Sequence, residues 1–341
     1  MGRLLPLFKT LTGAVLRSQA IANFVRQYQR VNLVSLCFHR FAGPAGTPAG
    51  HSLVAIDESL RWLQRAGFVF SDLGDIMRTL SRGRLPDRPS VVVSIDDGYA
   101  DLTPAIAVFA RHRCPVSVFL ATDFIDGRAP LWWDQVQLLL SRAEGSATIA
   151  NTHGISWSAS WSNSEQRAMR GEELIELIKR VREPARYAVI EALAKSVEVS
   201  LPLGEMSGYE PLRWDDVRAL EREGVRFGPH THTHPILSSM DDDAARVEIE
   251  TSWARIRAEV RNPLPILAYP DGTPWSYSAR DRELVRQAGL EGAVTMDAHW
   301  ELPVSAPVDP FQIGRMAYQS KLPDLQVSAL HLGSRGRKRY T

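Results

Sequence analysis

Two short stretches of this chain carry chemistry that packing alone does not explain. The first is Asp96-Asp97-Gly98, set directly after the apolar run Val91-Val92-Val93-Ser94-Ile95. Adjacent carboxylates at the end of a buried run repel each other, and one of them rises in pKa unless a cation is near. A divalent ion that takes one carboxylate as a ligand leaves the other free to handle protons. The turn expected at Gly98 lets both side chains approach one place. The second stretch is Gly228-Pro229-His230-Thr231-His232-Thr233-His234-Pro235. His230 and His234 are four residues apart, the spacing that sets two imidazoles on one face of a helical turn. His232 then points elsewhere, as a supporting or surface histidine. One carboxylate and two histidines leave coordination positions open for water and substrate. That donor set suits zinc and also serves iron(II), cobalt or nickel.

Such residues need strand ends to hold them. Residues 32–38 read as a buried strand leading into His39-Arg40 and a Gly/Pro loop. A helix over 57–66 stops at Gly67, and a short strand at 68–70 and a helix over 72–81 follow. The run 91–95 suits a strand buried on both faces of a parallel sheet. A helix over 105–113 and a strand over 116–120 continue the alternation, which predicts a parallel α/β fold. Residues 131 to about 206 break the rhythm. There the sequence predicts a helix through Leu140, a polar hairpin, and two charged amphipathic helices over about 163–181 and 184–196. We read this stretch as an insertion on one face of the fold, not as a separate domain. The rhythm resumes with helices over 214–223, 242–260 and 281–288 and strands over 225–228, 266–269 and 292–295. Each of the two chemical stretches therefore lies at the end of an expected strand.

The 341 residues are 44% hydrophobic and 23% charged, values that permit a sizeable core. A formal net charge of +1 gives no reason to expect nucleic acid as a partner. Two cysteines, Cys37 and Cys114, do not make a disulfide framework. Charge is uneven along the chain: no acidic residue precedes Asp57, while Arg3, Lys9, Arg17, Arg26, Arg30 and Arg40 do. Residues 1–30 read as an amphipathic helical segment able to meet an anionic membrane surface or to cover one end of the fold. Residues 321–341 read as a basic tail. No clear signal peptide and no run of roughly 20 apolar residues is present, so the expectation is a cytoplasmic protein, peripheral on the inner membrane if the basic N-terminus engages lipid. Oligomeric state is not encoded in any feature of the sequence.

The motifs also resemble those of a known family. SIDDGYAD resembles the TFDDG motif of the polysaccharide deacetylases, the NodB-homology or family-four carbohydrate esterases, and GPHTHTHPIL resembles their HTxxHP motif. LAYPDG is similar to the third motif in its YPxG form, and LWWDQVQLLL and DPFQIGRM have counterparts in bacterial members. The likeness runs from about residue 31 to about 318. It implies a distorted, incompletely closed (β/α) barrel of seven strands, with the deacetylase domain over 31–320. By the same resemblance Asp97, His230 and His234 hold the metal and Asp96 is the general base. Water activated on that metal would attack an acetamide carbonyl, and the Asp271 main chain would meet the oxyanion. Two departures stand out. The third motif usually begins with an arginine that steadies the base, and Ala268 stands there; Arg315, in QIGR, is the candidate replacement. The late LxxH motif that brings a general-acid histidine is poorly matched around His331. A circularly permuted subset brings the acid from an early strand, and SLCFHR resembles that strand end, which points to His39.

The substrate class implied is an N-acetylated sugar in a polysaccharide or a lipid-linked glycan. Trp132, Trp133, Tyr269 and Trp275 offer rings that could meet sugar faces, although core packing is the commoner fate of such residues. Two rival readings remain: a small-molecule amidase or imidase of the same fold, and a glycan-binding protein that has lost turnover.

Overall fold

The computed structural model describes residues 33–43, 50–128, 130–183, 185–201, 207–297, 308–321 and 324–325. The segment 1–30, His331 and nearly all of the basic tail lie outside the described residues.

The chain begins with strand β1 (Leu33–Phe38), helix α1 (Leu53–Arg65), strand β2 (Val69–Phe70) and helix α2 (Leu73–Ser81). Helix α1 starts four residues earlier than the sequence pattern predicts, because Ser52 caps it by accepting from Ala55 N. Strand β3 (Ser90–Ile95), helix α3 (Thr103–Arg111), strand β4 (Val116–Leu120) and the single turn α4 (Thr122–Ile125) follow. The break in rhythm comprises helix α5 (Trp132–Arg142), hairpin strands β5 (Ser146–Thr152) and β6 (Ile155–Ser160), and helices α6 (Ser164–Ile178) and α7 (Ala185–Ser196). The rest is α8 (Trp214–Arg222), β7 (Arg226–Pro229), α9 (Asp242–Glu259), β8 (Ile266–Ala268), α10 (Ala279–Gln287), β9 (Gly292–Thr295), β10 (Ile313–Gly314) and β11 (Met316–Ala317).

The strands form a nearly complete circuit. β1 pairs β3, β3 pairs β4, and β4 pairs β7, all parallel. β8, β9 and β10 form a second parallel sheet. Arg315 divides one last strand in two: β10 pairs β9 on one side, and β11 pairs β1 on the other. Counting β10 and β11 as one gives seven strands, with β2 a short addition beside the start of β3. Among the described residues no ladder joins β7 to β8. A single bond, Leu264 N to Phe227 O at 2.7 Å, stands in its place. The two backbones still approach closely, since a Cβ at Gly228 would lie 2.6 Å from the Ile266 carbonyl oxygen. The architecture is thus a distorted, incompletely closed (β/α)7 barrel. β1, β3 and β4 are buried along their whole lengths, as strands covered on both faces must be.

The insertion has a hydrophobic cluster of its own. Trp132, Leu139 and Leu140 of α5 pack with Ile149 and Trp157 of the hairpin, Leu174 and Ile178 of α6, and Ile190 and Leu193 of α7. Its hairpin exposes one face and buries the other, as the alternation of polar and apolar residues in ATIANT dictates. No described helix is long and apolar enough to cross a membrane.

Candidate active site

The catalytic candidates gather at the C-terminal ends of the barrel strands, where loops of an α/β barrel converge. Asp96 and Asp97 follow β3. The turn begins at Asp97 itself, whose φ is +74°, and continues through Gly98 at +93°. A side chain at Gly98 would press within 2.7 Å of Leu120 and Ile125, so the position also needs a residue without a Cβ. This two-residue left-handed turn is what swings both carboxylates toward one place. Both are buried, Asp96 at 1% and Asp97 at 4% exposure.

The histidine pair is assembled differently from the sequence expectation. Residues 230–234 form no helical turn: Thr231 and His234 adopt φ of +64° and +58° in a loop beyond β7. The four-residue spacing works here because a tight loop, not a helix, returns the second imidazole to the first. Glu248 of α9 holds that loop by accepting from the main-chain N–H of His232 and Thr233 at 2.9 and 2.8 Å and from the Thr233 hydroxyl at 2.7 Å. His232 turns away, as expected, to Thr122 Oγ1 at 2.8 Å.

Asp97, His230 and His234 bring one donor atom each to within 4.8 Å of the others, and all three residues are buried. Asp97 Oδ1 is 3.5 Å from each imidazole Nε2, and the two Nε2 atoms are 3.1 Å apart. His230 Nδ1 donates to the Ala268 carbonyl at 2.8 Å, which leaves its Nε2 lone pair facing Asp97 and His234. Burial lowers the pKa of His230 to about 4, and burial with the neighbouring His230 holds His234 well below the usual imidazole range. Neutral imidazoles are the form that ligates a metal. Asp97 is pushed well up by burial and by the charges of Asp96 and Asp134, so an added cation would relieve it. The three residues therefore fit a divalent cation by donor chemistry, convergence and charge.

Asp96 has a different partner. Arg315 Nη1 and Nη2 reach its two carboxylate oxygens at 2.6 and 2.7 Å, from the break between β10 and β11. Arg315 is itself fully buried, and it also donates to Ser94 Oγ at 3.0 Å and Thr295 O at 3.3 Å. Burial would raise the Asp96 pKa, but the guanidinium outweighs it and holds the carboxyl far below the usual range. The partner of Asp96 thus comes from the next strand but one after Ala268. His39, at the end of β1, places Nε2 4.0 Å from Asp96 Oδ2 and keeps 44% of its side chain accessible. Partial desolvation lowers its pKa, with Asp96 opposing. Asp271 lies in the loop after β8 with φ +60°, and its side chain accepts from Thr273 and meets Lys179 Nζ at 3.2 Å.

Several contacts at the site have no clear signal in the sequence. The Trp133 ring packs 4.5 Å from that of His234, and its Nε1 donates to Tyr99 OH at 3.1 Å. Tyr99 in turn donates to Asp134 at 2.6 Å. Of the rings considered for sugar contact, Trp132 and Tyr269 are buried at 3% and 1% and face the core. Trp133 and Trp275 are only half-buried.

Residues 170–293 match the family described as polysaccharide deacetylase. Over those residues the chain is similar to polysaccharide deacetylases. The matched segment includes both histidines and the Asp271 loop. Among solved structures the fold is similar to the deacetylase PplD from Streptococcus pyogenes in complex with acetate, at 13% identity and a TM-score of 0.54, covering 87% of this chain and 97% of that one. It is similar also to IcaB from Ammonifex degensii, at 16% identity and 0.53, covering 89% and 98%. A third, a de-N-acetylase from Aggregatibacter actinomycetemcomitans, gives 13% identity and 0.51, covering 85% and 95%. These likenesses concern the fold. No curated protein matches the sequence. The partial family match points to a hydrolase of the deacetylase kind.

Proposed function

We propose that this deacetylase hydrolyses N-acetyl groups of a sugar in a polysaccharide or lipid-linked glycan with the help of a divalent cation, zinc first among the candidates. The domain is read as 31–320, with the insertion at about 131–206 bordering the cleft. The observation that carries the reading is the convergence of Asp97, His230 and His234 beside a second carboxylate clamped by Arg315. Asp97, His230 and His234 would hold the ion; when bound it supplies Lewis acidity, which acidifies water and polarises a carbonyl oxygen.

The chain's own residues divide the remaining work. Asp96 takes the proton of the attacking water. Its pairing with Arg315 keeps it ionised and oriented at the expense of basicity, which is why acidified water suits it. The main-chain N–H of Asp271 meets the developing oxyanion. His39 gives a proton to the leaving amine. Its imidazole is neutral at rest, so it must gain that proton during turnover, and Asp96 at 4.0 Å is the nearest source.

The test is acetate release from chitooligosaccharides, a peptidoglycan fragment and N-acetylated glycolipids, with small cyclic amides as the contrast. Chelation is expected to lower the rate by at least about 100-fold, with zinc restoring it. Full activity in demonstrably metal-free protein would remove the metal from the reading. Preference for a cyclic amide would replace the substrate class.

The acid is tested separately. His39→Ala is expected to lose about 10²- to 10⁴-fold in kcat, and His331→Ala to remain near the parent. The reverse pattern would transfer the role to His331.

A further inference from the structure

We propose that the insertion positions the substrate-facing loop after β8, and that Lys179 is the positioning residue through which it does so. The inference rests on the reading that the Asp271 main chain meets the substrate carbonyl. Lys179 ends helix α6. Its ammonium lies 3.2 Å from Asp271 Oδ2 and donates to Glu176 Oε1 at 2.7 Å. The next residues reach the same rim: the Arg180 guanidinium lies 3.9 Å over the Trp275 ring, and Arg182 Nε donates to Ser239 O at 3.4 Å. Ser238 Oγ, beside Ser239, donates to Trp275 O at 2.8 Å. One short piece of the insertion therefore grips the loop at residues 271 and 275 and its neighbour at 239.

The loop needs such a grip. Asp271 and Gly272 adopt φ of +60° and +66° in succession, a conformation that costs a non-glycine residue energy. Asp271 tolerates it because Oδ1 accepts from Thr273 N and from the Thr273 hydroxyl. Oδ2 is then left for the insertion. On the far side Met296 N donates to Gly272 O at 2.8 Å, anchoring the loop to the end of β9. With Gly272 fixed by the barrel and the Asp271 side chain fixed by Lys179, the peptide plane between Pro270 and Asp271 has one orientation. That plane carries the N–H assigned to the oxyanion. The Lys179 and Asp271 side chains are 25% and 11% exposed, so their attraction is only partly screened.

The experiment compares the full chain, loaded with zinc, with Lys179→Ala, Lys179→Arg, Asp271→Asn and the double variant Lys179→Ala/Asp271→Asn. Lys179→Ala is expected to lower kcat by about 10- to 100-fold, as a misplaced reacting group does, with KM within about twofold and zinc content unchanged. Lys179→Arg should recover most of the loss. The double variant should lose no more than the worse single one, because both changes break one contact. Hydrogen exchange of residues 270–276 should quicken in Lys179→Ala and return in Lys179→Arg. The proposal is overturned if Lys179→Ala leaves both kcat and this exchange unchanged, or if the two single losses multiply. If the parent chain releases no acetate from any N-acetylated glycan, the deacetylase reading fails, and the exchange measurement alone decides the clamp.

Discussion

Asp96→Asn is expected to reduce acetate release by about 10²- to 10⁴-fold, the usual worth of a positioned general base. The substitution is nearly isosteric. The amide oxygen can still accept from one Arg315 nitrogen, while the amide NH2 faces the other donor to donor, so the pairing loosens but the fold should survive. What the carboxamide cannot do is take a proton from water. Asp97, His230 and His234 are untouched, so zinc content should equal that of the parent. This separation gives the measurement its force: a chain that keeps its zinc and its circular dichroism but loses turnover has lost proton handling alone. Retention of activity to within a few-fold would remove Asp96 from the base role. The buried Arg315 loses its counter-charge in this variant, so some stability should go as well. That loss should fall short of the approximately 3–5 kcal/mol seen when one partner of a buried pair is removed outright.

Arg315→Ala should incur that full loss. Removing the guanidinium leaves Asp96 at 1% exposure with neither a counter-charge nor its two shortest hydrogen bonds. Denaturant unfolding should show a destabilisation of about 3–5 kcal/mol. Activity should fall by a comparable factor to that of Asp96→Asn, for a different reason: without the guanidinium, burial pushes the Asp96 carboxyl up and leaves it unoriented. Arg315→Lys restores the charge without the two-pronged geometry, and it should recover more stability than activity. An Arg315→Ala chain as stable and as active as the parent would show that Asp96 does not depend on it.

The two variants together probe a pair that no local motif displays. Asp96 and Arg315 lie 219 positions apart. The sequence does offer Arg315 as a candidate, because Ala268 vacates the usual place for the arginine. It does not show that the donor enters at the break between β10 and β11, where the last strand changes partners from β9 to β1. The break leaves Arg315 outside both ladders, and its side chain runs into the barrel. The same limit applies to the histidine loop. Spacing pairs His230 with His234, but their geometry comes from left-handed backbone at Thr231 and His234 and from Glu248 on a later helix.

Whereas the seven-strand count comes from the family resemblance, local sequence by itself determines the alternating strands and helices of a parallel α/β fold and the placement of an Asp-Asp-Gly turn and a histidine pair at strand ends. These follow from hydrophobic periodicity, capping residues and turn-formers, all of which act over a few positions. The hairpin and the charged helices of the insertion are legible for the same reason. Tertiary structure alone decides which donors converge and what neighbours tune them. It seats Arg315 on Asp96 and sets His39 half-open beside them. It buries Trp132 in the insertion's own core while leaving Trp133 against His234, although the two are adjacent in the chain. It also brings Lys179 to Asp271. These contacts join residues far apart in sequence, and their geometry is fixed only when the strands close into a ring and the insertion docks on its rim.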